Sequence, residues 1–162
     1  MSSGTLSTKL AFQFLHPSPT KLDWAAIIWW PCIPPSHLFV FWCLMLSKLP
    51  TDDNLQMRGC TLVSICVLCY RQVETSFHLF MSCDFAVAIW RWLGLKLNRI
   101  ISLISIASLL ECIPVRCSLQ VRDDFVFAIV QALHYIWLAR IVVWFISTAV
   151  SFHAVHLPKK CW

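Results

Sequence analysis

Apolar residues gather along this chain in blocks separated by short polar or proline punctuation, and within the blocks they recur at helical rather than strand spacing. Pro34-Pro35 ends one block and opens the next, because proline is tolerated in the first turn of a helix. Residues 36–48 then read as a buried aromatic helix built around Phe39 and Trp42. After Leu49-Pro50, Thr51 starts a short helix as its N-cap, with Asp52 and Asp53 favourable at the positive end of the dipole. Gly59 is placed to end it in the left-handed conformation. Asp84 opens a further helix in which Ala86, Ile89, Trp90 and Leu93 share one stripe, and Gly94 is expected to close it. Residues 100–110 form another candidate helix, Pro114 breaks the chain, and a longer helix is expected over about 123–146. The fold class is therefore mainly α.

Between the second and third of these helices stands a different kind of pattern. Cys66, Cys69, His78 and Cys83 follow the spacing C-x2-C-x8-H-x4-C, four soft or borderline donors in one turn-compatible segment. Zinc takes thiolate sulfur and imidazole nitrogen in a tetrahedron, and four protein donors leave no position for substrate, so the pattern predicts a structural Zn2+ site. Arg71, Gln72 and Glu74 suit an exposed loop within it. Two other readings stay open. Nine cysteines in so apolar a chain can be small buried side chains, and Cys66 and Cys69 can form a disulfide. The odd cysteine count favours a reducing compartment, and residues 1–8 show Ser, Gly and Thr before any apolar run, unlike the signal peptide that a disulfide framework normally accompanies.

The whole order, W…W…PP…LFxFW…LPTDDNLxxRG…CxxC…ET…HLFxxC…FAxxIW, resembles the zinc-binding domain that accompanies reverse transcriptases of plant LINE-type, non-LTR retrotransposons. The resemblance covers residues 24–92. Residues 132–145, with Trp137 and Ala139-Arg140, are similar to the W-x-x-R tail that often follows. It implies that Cys66, Cys69, His78 and Cys83 are the zinc ligands and that the domain helps the element's enzyme hold RNA or DNA, in the nucleus or cytoplasm, with a reverse transcriptase acting in trans as a partner. The chain departs from the family pattern at Ser36 and His37, where lysine is usual, and at Ile141, where asparagine is usual. Those changes remove polar or positive groups and fit a decayed copy of a mobile element as the alternative.

Composition adjusts this picture in two ways. The 162 residues suffice for one modest core with appendages, divided as 1–20, a Ser/Thr/Pro-rich N-terminus expected to be disordered, 21–94, the zinc-binding domain, and 95–162, a hydrophobic helical tail. The net charge of +5 is low for a dedicated nucleic-acid binder. Arg91, Lys96 and Arg99 interleave with Trp90 and Trp92, and together with Arg58 and Arg71 they are the candidate contacts to phosphate and base. An amphipathic helix with buried tryptophans and solvated cations gives the same pattern.

Mean hydropathy of +0.70 also requires a membrane reading: residues 125–157 form a marginal candidate span, interrupted by Gln131, His134 and Arg140, with Lys159 and Lys160 as headgroup anchors. His153, His156 and Cys161, and the pair Cys112 and Cys117, have ligand types without a supporting motif. No Gly-x-Ser-x-Gly elbow and no phosphate-cradling loop is present, Arg122-Asp123-Asp124 lacks the aromatic of a polymerase Asp-Asp turn, and the acidic residues form no paired site. The expectation is a non-enzyme.

Overall fold

The computed structural model describes residues 33–114 and 118–151, without the side chains of 147–151. The expectations for residues 1–20, for the tryptophans of 24–30, for Cys117 and for His153, His156, Lys159, Lys160 and Cys161 lie outside these residues. What is described is mainly helical, and among the described residues there is no strand. In order come α1 (Pro35–Met45), α2 (Asp52–Met57), a π-helical turn (His78–Ser82), α3 (Asp84–Leu97), a 3-10 turn (Ala107–Cys112) and α4 (Leu119–Ser151).

Each helix end has a local cause. Pro34 caps α1 and Pro35 occupies its first turn, as the sequence predicts. Its C-terminus closes in a Schellman arrangement, with the Ser47 N–H donating to Leu44 and the Lys48 N–H to Cys43, which puts Ser47 at φ 53°. In α2 the same closure uses Gly59 at φ 88°, with N–H bonds from Gly59 to Gln56 and from Cys60 to Leu55. Gly59 therefore ends α2 as expected. Gly94 does not end α3: the helix runs to Leu97, and Asn98 at φ 49° is its left-handed cap. Gly94 instead permits a close approach, since a Cβ there would stand 2.8 Å from the Arg99 carbonyl oxygen.

Two further expectations give way. Residues 100–110 do not form an α-helix; only Ala107–Cys112 turns, as 3-10. The reason is serine chemistry, because the Ser105 and Ser108 hydroxyls each accept the other's backbone N–H, at 3.0 and 3.1 Å, and hold the chain in a turn. Nor do Phe39 and Trp42 supply the packing face of α1. They are 60% and 41% exposed, while Val40, Phe41, Cys43 and Leu44 are buried. That helix is apolar on every side, so its composition could not say which face turns inward.

The core of the described residues sits between α4 and the elements packed on it. α4 contacts α1, α3, the π turn and the 3-10 turn. It buries Phe125, Val126, Ile129, Val130, Leu133, Ile136 and Trp137 at the i, i+3/i+4 spacing of a single stripe. Opposite lie the buried residues Phe41 of α1, Ala86, Trp90 and Leu93 of α3 and Leu79, Phe80 and Met81 of the π turn. Among the described residues, ring pairs join α4 to its neighbours: His134 on His37 at 3.8 Å, Tyr135 on Phe85 at 6.2 Å and Trp137 on Phe80 at 6.5 Å. α4 runs unbroken through Arg140, as the helix expected over about 123–146 predicts. Its segment Leu119–Ile146 is long and apolar enough to cross a membrane, and 44% of its most apolar window is buried against the rest of the protein.

Candidate metal centre

The segment from Cys66 to Cys83 is a loop, a link and a wide turn. The loop is closed by the Cys66 N–H donating to the Gln72 carbonyl and the Tyr70 N–H donating to the Cys66 carbonyl, both at 2.8 Å. Closing so tightly forces Tyr70 to φ 55°, a conformation uncommon outside glycine, asparagine and aspartate. The link, residues 72–77, is pinned by the Ser64 hydroxyl, which accepts the Glu74 N–H at 3.0 Å and donates to the Glu74 carbonyl at 3.4 Å.

The wide turn decides the geometry. His78 and Cys83 are five apart, and five steps of an ordinary α-helix, at about 100° each, would separate them by about 140°. Here the Cys83 N–H donates to the His78 carbonyl at 2.7 Å, an i→i+5 bond that widens the turn and returns the two side chains to the same side. The Thr75 hydroxyl starts this turn by accepting the His78 N–H at 2.9 Å.

As a result the ligand atoms of Cys66, Cys69, His78 and Cys83 all lie within 4.8 Å of one another. Cys66 Sγ and Cys83 Sγ are 3.8 Å apart, and Cys69 Sγ is 3.3 Å from His78 Nε2. Two sulfurs bound to one zinc at about 2.3 Å stand about 3.8 Å apart across a tetrahedron, so the sulfur pair already has that spacing. A disulfide needs about 2.05 Å, and Cys66, Cys69 and Cys83 are all free thiols. Cys66, Cys83 and His78 are buried and Cys69 is half-buried. Nε2 of His78 faces the thiols while its Nδ1 lies 3.2 Å from the Ser82 hydroxyl, the outer contact that fixes which nitrogen points inward.

Burial and nearby N–H groups set the protonation of the four donors. Burial pushes the Cys66 thiol up to about 12, opposed by the Leu68 and Cys69 N–H groups and reinforced by the nearby Cys83. Burial also raises Cys83, against the pull of the Phe85 N–H at the start of α3. At Cys69 burial acts upward too, but the N–H groups of Arg71 and Gln72 and the neighbouring thiols outweigh it and bring it below the usual thiol range. Burial holds His78 below the usual imidazole range despite Glu74 and Asp84, which favours the neutral ring that a metal needs. The four donors thus fit a structural Zn2+, which would fill its tetrahedron with protein ligands and hold loop and turn together.

Around the centre, the largest surprise is Glu74. The sequence suggested an exposed loop residue; it is fully buried. Its carboxylate accepts from Arg140 Nε at 3.2 and 3.3 Å and from an Arg140 terminal nitrogen at 2.7 Å, and it also accepts the Asp52 N–H at 3.3 Å. The same Arg140 nitrogen lies 3.5 Å from the Asp52 carboxylate. Glu74 and Asp52 are thus bridged by one arginine from α4. This network also alters the start of α2. Thr51 is its N-cap residue, but the Thr51 hydroxyl bonds to Asp53 and lies 2.8 Å from the Ser76 hydroxyl, leaving the first N–H groups of the helix to Glu74 and Asp53. Sequence reasoning missed Glu74; the W-x-x-R tail was the one signal that Arg140 mattered.

The candidate nucleic-acid contacts spread over the surface. Arg58 is exposed and donates to the Lys48 carbonyl at 3.0 Å. Arg71 is exposed and paired with Asp84 at 2.9 Å. Arg91, Lys96 and Arg99 are exposed, but the two tryptophans between which they were read part company. Trp90 is buried, its Nε1 donating to the Phe80 carbonyl at 2.7 Å, whereas Trp92 is 59% exposed and shares a helix face with Lys96.

No curated protein and no solved structure matches the chain. A profile of the family described as zinc-binding in reverse transcriptase matches residues 6–90, over half of the chain, and ends at the buried Trp90. The chain belongs to that family of zinc-binding domains in reverse transcriptase.

Proposed function

We propose that this chain is a zinc-stabilised accessory module derived from a retrotransposon reverse-transcriptase polyprotein of the plant LINE type, with no catalysis of its own. One structural Zn2+ is held by Cys66, Cys69, His78 and Cys83. The observation that carries the reading is the convergence of these four donor atoms within 4.8 Å, with the buried sulfur pair at 3.8 Å. Zinc binding of this kind contributes on the order of 10 kcal/mol to folding. The test is metal content of the purified protein by elemental mass spectrometry, beside a variant carrying Cys66→Ser and Cys69→Ser. One zinc per chain, lost in the variant, is expected; a well-folded protein without zinc would sink the proposal.

The module's role is to contact RNA or DNA, with a reverse transcriptase in trans as its partner, in the nucleus or cytoplasm. Support comes from the exposed Trp92 beside Lys96, with Arg91, Arg99, Arg58 and Arg71 at the surface, a mixture suited to stacking and phosphate contact. Trp92→Ala is expected to weaken binding of single-stranded RNA by roughly 1–3 kcal/mol without moving the melting temperature. Equal binding by parent and variant would remove the stacking role. The membrane-associated alternative draws on the length and hydropathy of Leu119–Ile146. Docking of that helix through Trp137 and Arg140 supports the zinc module over it. Retention on membranes until detergent is added, through carbonate and high salt, would reverse that order.

A further inference from the structure

One turn of α4 reaches two of the three spans of chain that separate the zinc-ligand positions. Glu74 lies between Cys69 and His78, and its buried carboxylate receives the Arg140 guanidinium at 2.7 Å. Phe80 lies between His78 and Cys83, and its buried ring stacks on Trp137 at 6.5 Å. Trp137 and Arg140 are three residues apart, so they share a face of α4, and the guanidinium carbon sits 5.3 Å from the Trp137 ring. The two contacts are thus one unit. Neither target can shift alone: the Glu74 backbone is clasped by Ser64, and the Phe80 carbonyl holds the Trp90 indole.

We infer that Trp137 and Arg140 are positioning residues for the metal centre, so that docking of α4 and metal binding by the four ligands are one coupled event. This rests on the zinc reading above. With α4 undocked, the Glu74 carboxylate loses its countercharge and Phe80 loses one packed face. These two spans then keep only the Ser64 and Trp90 contacts as restraints, and gathering the ligands costs entropy that docking had already removed. With the metal absent, the π turn and the Cys66 loop lose their common centre, and the surface that Trp137 and Arg140 grip relaxes. Linkage makes the effect reciprocal: whatever factor docking adds to zinc affinity, zinc adds to docking. A helix that merely contributed to the core would lower the stability of loaded and metal-free protein alike and leave the zinc affinity of the folded protein unmoved.

The experiment is amide hydrogen exchange on the full chain, zinc-loaded and after chelation, joined to a zinc titration against a competing chelator dye. Chelation is expected to lower the protection of amides 126–140 at least tenfold. Trp137→Leu, and the pair Glu74→Gln with Arg140→Gln, are expected to weaken zinc binding at least tenfold, with Arg140→Lys intermediate because it keeps the charge and loses the fork. Equal protection of 126–140 with and without zinc overturns the inference, as does parental zinc affinity in folded variants. Should a variant not fold, the exchange comparison on the parent protein decides by itself. A parent that takes up no zinc in the first titration overturns the zinc reading instead, a failure distinct from zinc that binds without changing α4.

Discussion

The metal segment and α4 are both rich in apolar residues, yet they carry their structural instructions at different ranges. The four donors of the metal segment lie within 17 positions of one another, and three bonds of its own backbone, at Cys66, Tyr70 and Cys83, shape it. α4 draws its specific contacts from far away: Arg140 reaches back 66 positions to Glu74 and 88 to Asp52. Chemistry written at short spacing identifies its own partners, whereas a long apolar helix says only that something will cover it. The ion pairs differ in the same way. Arg71 and Asp84 meet at 2.9 Å with side chains 76% and 72% exposed, while Arg140 and Glu74 meet at 2.7 Å with 8% and 1% exposed.

The largest expected effect lies in the metal segment. Cys83→Ser removes one of two buried sulfurs 3.8 Å apart and alters the residue that caps α3. It is expected to forfeit much of a zinc contribution on the order of 10 kcal/mol, seen as loss of the cooperative melt and of bound zinc. An unchanged melt would show that the short-range pattern holds the fold without metal and would erase the contrast between the regions.

Next in size is Arg140→Met, which leaves two buried carboxylates, Glu74 and Asp52, facing each other without a cation. Removing one partner of a buried pair costs about 3–5 kcal/mol, most of it the penalty of the uncompensated charge. Urea unfolding measures it. A loss under about 1 kcal/mol would place Arg140 in the same class as Arg71 and dissolve the distinction drawn between the two ion pairs.

A third test uses acid on the α1–α4 joint. His134 stacks on His37, and its Nδ1 is buried without a hydrogen-bond partner among the described residues. Burial, with His37 adding to it, holds His134 below the usual imidazole range. The unfolded chain therefore takes up this proton first as pH falls through about 6.5, so it binds more protons than the folded chain there, and stability falls with it. The melting temperature is expected to drop from pH 7 toward pH 5, and His134→Phe is expected to flatten that slope. A slope identical in both would remove His134 as its source.

These contrasts also explain what the sequence disclosed. The C-x2-C-x8-H-x4-C spacing predicted a cluster that does converge, because loop closure and a widened turn need only nearby residues. Pro35 and Gly59 were legible for the same reason. Glu74 was not: with Arg71 and Gln72 beside it, it looked solvated, and only an arginine 66 positions later turns it inward. Gly94 and Asn98 both carry C-cap chemistry; Asn98 takes the cap, and the close approach of the Arg99 carbonyl that leaves no room for a Cβ at 94 is a three-dimensional fact. Phe39 and Trp42 pointed outward because α1 is apolar all round and α4 selected the opposite face.

The smallest expected effect closes the comparison. Arg71→Ala breaks an ion pair as short as many buried ones, but both partners already face water, which screens the charges and solvates whichever is left behind. Asp84 also keeps a second source of support, since it sits in the first turn of α3, where the helix dipole favours a carboxylate. Stability is therefore expected to stay within about 0.5 kcal/mol of the parent, with zinc content unchanged. The same denaturant titration used for Arg140→Met measures it. A loss approaching that of Arg140→Met would mean that the Arg71–Asp84 bridge, rather than burial around Glu74, fixes the Cys66 loop against α3, and exposure would no longer separate the structural arginine from the surface ones.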